Sequence, residues 1–117
     1  MRSSIILTFS FLSVLFAQTQ LGSDIDGEAA YDHSGQSVSL NSAGDRVAIG
    51  AWGNDGTGND AGHVRIYEYS SSSWSQLGSD IDGEANSDYS GASVSMNSDG
   101  DRVAIGAGYN NDGPGSD

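Results

Sequence analysis

Gln20 to Ala51 reads QLGSDIDGEAAYDHSGQSVSLNSAGDRVAIGA, and Gln76 to Ala107 reads QLGSDIDGEANSDYSGASVSMNSDGDRVAIGA. Of these 32 positions 26 are identical, and the six differences fall at 30, 31, 33, 36, 40 and 43 of the first copy. After Ala51 and Ala107 the alignment takes one inserted residue, and Asn-Asp-Gly-x-Gly resumes at Asn54 and Asn111. The offset is 56 residues. A repeat of this length describes units that bury their faces against one another rather than one irregular domain.

Within one period the strand signals come in order. Ser37 to Leu40 and Arg46 to Ala51 alternate small or polar with apolar residues, and His63 to Tyr69 alternates with β-branched and aromatic side chains. Ser73 to Leu77 makes a fourth strand, with counterparts of the first two at Ser93–Met96 and Arg102–Ala107. Asn, Asp, Gly and Ser clusters separate them, and no window shows apolar residues at helical spacing. The expected fold is all-β, built from antiparallel four-stranded blades of a β-propeller, and incomplete at about one and a half blades. Ala48, Gly50 and Ala51 suit a strand that neighbouring blades approach closely. The apolar blade faces are expected from Val38, Leu40, Val47, Ile49, Val64 and Ile66. Counterparts of Ala61 to Gln76 are missing from the second copy, so the expected organisation is a leader at 1–17, a first repeat at 18–76 and a truncated second repeat at 77–117.

The leader is the apolar run Ile5–Phe16 behind Arg2, closed by Ala17 and the polar Gln18-Thr19-Gln20. It is about 12 residues long where a spanning helix takes about 20, so it reads as a signal peptide cut near Ala17, with no stable membrane insertion afterwards. The chain of 117 residues carries 16 acidic residues against four arginines, a net charge of −12, and no cysteine. That charge excludes nucleic-acid binding, which depends on cationic neutralisation of phosphates. The missing cysteines exclude thiol catalysis, disulfides and thiolate metal sites.

Asp-x-Ser-Gly-x-Ser-Val-Ser at Asp32–Ser39 and Asp88–Ser95, each followed after a short turn by Val-Ala-Ile-Gly-Ala, resembles the FG-GAP repeat of integrin α-type β-propellers. It looks closest to the Asp-Ile-Asp-Gly-Glu variety found in exported microbial proteins. Ser34 and Ser90 stand where that family has Phe, and Trp52 and Gly108 where it has Pro. The resemblance implies calcium in the hairpin between the two strands. Here that hairpin is only Asn41–Asp45 or Asn97–Asp101, too short to wrap an ion that needs six to eight oxygens.

Two other acidic segments offer oxygen ligands. Asp24, Asp26 and Glu28, repeated as Asp80, Asp82 and Glu84, form one candidate calcium set, with Asp32 or Asp88 four residues on. Asn54 to Asp60 is a second Gly-rich loop. Equally, both segments serve as blade-connecting turns, where Asp and Asn bond their own backbone. Recurrence of the same carboxylates in each copy argues against a glycosidase pair, which needs two carboxyls in distinct environments. His33 and His63 lack Ser or Asp partners at motif spacing. Asp45-Arg46 and Asp101-Arg102 are expected to close the hairpins, and Tyr69 and Trp74 to pack between blades.

The expectation is a secreted or cell-surface propeller module that is not an enzyme and binds an extracellular protein or glycan in an adhesion role. The alternatives are the non-catalytic propeller part of a larger exported enzyme, or a purely structural array.

Overall fold

The computed structural model describes residues 18–110. The leader at 1–17 lies outside the described residues, and so does 111–117. Among the described residues no helix is long and apolar enough to cross a membrane.

Seven strands follow in order: β1 (Ser37–Leu40), β2 (Arg46–Ala51), β3 (His63–Ser70), β4 (Ser73–Gln76), β5 (Ile81–Asp82), β6 (Ser90–Met96) and β7 (Val103–Ala107). The first four form an antiparallel meander in the order β1-β2-β3-β4, as the alternation of their residues requires. The outer edge is split. β4 pairs with the far half of β3 (Tyr67 opposite Gln76), whereas β5 pairs with its start (His63 opposite Asp82). The chain between them slips by two residues, because Leu77 to Asp80 leave the ladder after the Leu77 amide has bonded the Ile66 carbonyl at 2.7 Å. The short β5 was not expected from the sequence.

β6 and β7 repeat β1 and β2 in the same register: Ser93 faces Gly106 as Ser37 faces Gly50. β6 also extends back to Ser90 across a bulge between Ser90 and Ser93. This hairpin lies face to face with the first sheet. The Ser37 hydroxyl donates to the Gly91 carbonyl at 2.6 Å, the Ser39 hydroxyl accepts from the Met96 amide at 3.0 Å, and the Ser42 amide donates to Ser98 at 3.0 Å. Gly50 permits the approach: a Cβ there would stand 2.1 Å from the Gly91 carbonyl oxygen. The two units are neighbouring blades of a propeller, the first with its four strands and the second, among the described residues, with two.

The packing runs head to tail and divides the expected blade face in two. Strand alternation puts Ala48, Val64 and Ile66 on the face toward the second blade, where Ala48 and Val64 are fully buried. Val38, Leu40, Val47 and Ile49 project from the opposite face. There Val38 and Leu40 are 60% and 59% exposed, while their counterparts Val94 and Met96 are half-buried against the first blade. The segment before β1 covers part of this face: the Trp74 indole donates to the Leu21 carbonyl at 2.8 Å, and Gly22 sits against Trp74 and Tyr69. Tyr69 and Trp74 therefore pack on each other, ring centroids 5.2 Å apart, and on this segment.

The hairpins close differently from the sequence expectation. Asn41 does the closing, its amide group donating to Asp45 at 2.7 Å and its carbonyl oxygen accepting from the Asp45 and Arg46 amides. Asn97 repeats this with Asp101 and Arg102. Arg46 turns outward instead, pairing with Glu68 at 2.8 Å and donating to the Gly100 carbonyl of the second blade at 3.0 Å. Arg46 is long enough to bridge to the next hairpin, so it serves the blade interface.

Candidate functional site

The loops opposite the hairpin turns carry the site. Asp32 and Asp88 are buried there and organise the backbone. Asp32 accepts from the Ala29 amide at 3.2 Å and the Asn54 side chain at 2.9 Å. Asp88 accepts from the Glu84 and Ala85 amides at 3.1 and 2.9 Å and from the Asn110 side chain at 3.5 Å. Asn110 is thus the structural counterpart of Asn54, so the repeat register holds to residue 110 and the inserted residue falls after it.

Pinned by these carboxylates, the following residues take unusual backbone conformations. Tyr31 and His33, with their counterparts Ser87 and Tyr89, all have φ between 53° and 70°. Non-glycine residues rarely adopt the left-handed region, and such strain concentrates at functional sites. Its effect is to swing His33 and Tyr89 toward the blade boundary. His33 stacks on Trp52 with centroids 4.2 Å apart and planes 8° apart. Tyr89 meets Trp52 edge-on at 5.4 Å, and Tyr109 meets Tyr89 in the same way at 5.4 Å. The Trp52 indole donates to the Gln36 side chain. Between the blades these groups line an open cleft of about 680 Å3, walled by Gln36, Trp52, Ser87, Tyr89, Ala92 and Tyr109.

Sequence reasoning did not find this cleft, although a signal existed. Of the six differences between the copies, those at 30, 31, 33 and 36 fall on this loop end. Trp52 against Gly108 and Gly53 against Tyr109 add two more.

The carboxylates proposed for calcium go to separate partners. Asp24 accepts from Gln20 at 2.8 Å, Asp26 is exposed, and Glu84 is exposed with its amide bonded to Asp88. Asp82 lies in β5 opposite His63. Glu28 accepts from Asn54 at 3.0 Å and pairs with Arg65. Asp80 accepts from Arg65 at 2.8 and 2.9 Å and from Gln76 at 2.6 Å. Burial alone would raise the Asp80 carboxyl, but the Gln76 hydrogen bond and Arg65 outweigh it and hold it below the usual aspartate value. Burial likewise opposes the Arg65 charge, and Asp80 overcomes it, holding the guanidinium above its ordinary value. The set that does converge crosses the repeats: Glu28, Asp80 and His63, with ligand atoms within 4.8 Å of one another.

These features define a β-propeller repeat unit with a cleft between blades. Residues 24–67, running from the Asp-Ile-Asp-Gly-Glu segment through β3, match the FG-GAP repeat family. This stretch is an FG-GAP repeat, and the second copy repeats its hairpin with the same strand register. No curated protein matches the chain.

Proposed function

We propose that the protein is an exported β-propeller module that binds an extracellular glycan or protein through the aromatic cleft between its blades, in an adhesion role and without catalysis. The observation that carries this reading is where the two copies differ. Most residues that build the blades are repeated, whereas those around the cleft are not, so that one copy offers Gln36 and Trp52, the latter backed by His33, and the other Ser87, Tyr89, Ala92 and Tyr109. Binding residues gather on loops held by a rigid scaffold, and divergence concentrated at one loop end, which holds the differences at 30, 31, 33 and 36, fits ligand recognition. Aromatic faces beside an amide and a hydroxyl suit a sugar ring, which presents an apolar face and a polar rim. The net charge of −12 favours neutral or cationic ligands over anionic ones.

The test is a fluorescence titration in a Trp74→Phe background, where Trp52 is the remaining tryptophan, against a panel of neutral and amino-sugar oligosaccharides and immobilised matrix proteins. Ligands that perturb Trp52 should bind about tenfold or more weakly to Tyr109→Ala in the same background and, measured by calorimetry, to Trp52→Ala. Asp99→Ala, in the hairpin at the opposite end, should bind as the parent does. Binding that survives both aromatic changes would refute the cleft.

A further inference from the structure

We propose that Glu28, His63 and Asp80 form a binding site for a first-row divalent cation, of which zinc is the best fit. This site is separate from the aromatic cleft and does not depend on the reading of it. His63 opens β3 and is 3% exposed. Its Nδ1 is a buried side-chain nitrogen with no hydrogen-bond partner, and it lies 3.7 Å from Asp80 Oδ2. Buried polar atoms are almost always satisfied, so an imidazole nitrogen left free and aimed at two carboxylates points to a missing partner. A hydrogen-bonding contact with Asp80 alone does not supply it, since 3.7 Å is beyond hydrogen-bond range.

The donor set selects the ion. One imidazole with two carboxylate oxygens, all within 4.8 Å of one another, suits zinc and its neighbours; calcium takes six to eight oxygens and has no use for the nitrogen. Surrounding groups already orient the ligands, as metal sites require. Asn54 holds one oxygen of Glu28 at 3.0 Å, and the other turns inward, where its present partner is Arg65. Gln76 and the Arg65 Nε hold Asp80 Oδ1 at 2.6 and 2.8 Å, leaving Oδ2 on the side of His63. Arg65 contacts the inner oxygen of Glu28 and also Asp80 Oδ2, at 2.9 Å. A cation would take over both contacts, and Arg65 would stay paired through its Nε to Asp80 Oδ1. Two carboxylates against one guanidinium leave the cluster negative within a strongly negative chain, which favours a cation there.

The position also explains what an ion would do. Glu28 lies in the segment before the first blade, Asp80 in the segment after it, and His63 on the central strand β3 between them. One ion would tie both connecting segments to the blade, in a chain with no disulfide to do so.

The test is zinc titration of the chain in competition with a chromophoric chelator, paired with cobalt(II) absorption. We expect one zinc per chain, a raised thermal midpoint with zinc but not with calcium, and a visible cobalt band that zinc abolishes. His63→Gln should weaken zinc binding about tenfold or more and remove the band. Glu28→Gln replaces an exposed side chain, spares the buried imidazole, and should weaken binding comparably; Asp24→Asn should bind as the parent does. Absence of stoichiometric zinc binding in the parent chain, or undiminished binding in both His63→Gln and Glu28→Gln, would overturn the proposal.

Discussion

Asp32 and Asp88 show how one residue can be read correctly as repeated and wrongly as to its job. Their spacing from the acidic segments made them natural additional cation ligands, yet each is turned inward to backbone amides and to an asparagine of the same repeat. The chemistry is that of a buried carboxylate that accepts several N–H bonds and so fixes a turn. Replacing Asp88 with Ala leaves the Glu84 and Ala85 amides without their acceptor, which costs about 2–3 kcal/mol. Asp24→Ala, at an exposed position, should change stability by no more than about 0.5 kcal/mol. Urea titrations of the two variants beside the parent measure the difference, and equal midpoints would contradict the role given to Asp88.

At the level of elements, the strands were legible because period-two alternation survives in each: β1 and β2 coincide with the stretches picked from the sequence, and β3 and β4 differ from them by a single residue. β5 was not legible. Ile81–Asp82 sits inside Asp-Ile-Asp-Gly, which reads as a turn, and only its pairing with the start of β3 makes it a strand. The cleft and the cation cluster were hidden for a related reason. Trp52 meets Tyr89, and Glu28 meets Asp80, across the blade boundary or across a whole meander, and no local pattern encodes such distances. Glycine reports the blade contact directly. Gly50 faces the Gly91 carbonyl at 2.1 Å from its would-be Cβ, whereas Gly44 in the first hairpin has nothing within 4 Å and its copy Gly100 lies against Arg46. Gly50→Ala should therefore force the second hairpin off the first sheet. Hydrogen exchange should show loss of protection across β6 and β7 in that variant, with β3 and β4 little changed; unaltered protection in β6 would mean that the blades are not packed as described.

The described residues form a head-to-tail pair of repeats, and a head-to-tail contact leaves one face of each repeat unpaired among them. The first blade presents Val38 and Leu40 outward, and the second presents Ser93, Ser95 and Ala104, the counterparts of the residues that receive Val94 and Met96 inside the pair. A contact of this kind is heterologous, so further copies can add until a ring closes or a filament grows. Sedimentation velocity of residues 18–117 expressed alone, over a range of concentrations, tests the blade packing most directly. Association should grow with concentration and fall sharply in Leu40→Asp, which places a charge on the open face. A parent chain that sediments as a monomer at every concentration, with a sharp cooperative thermal transition, would contradict the account by showing that the two repeats close on themselves.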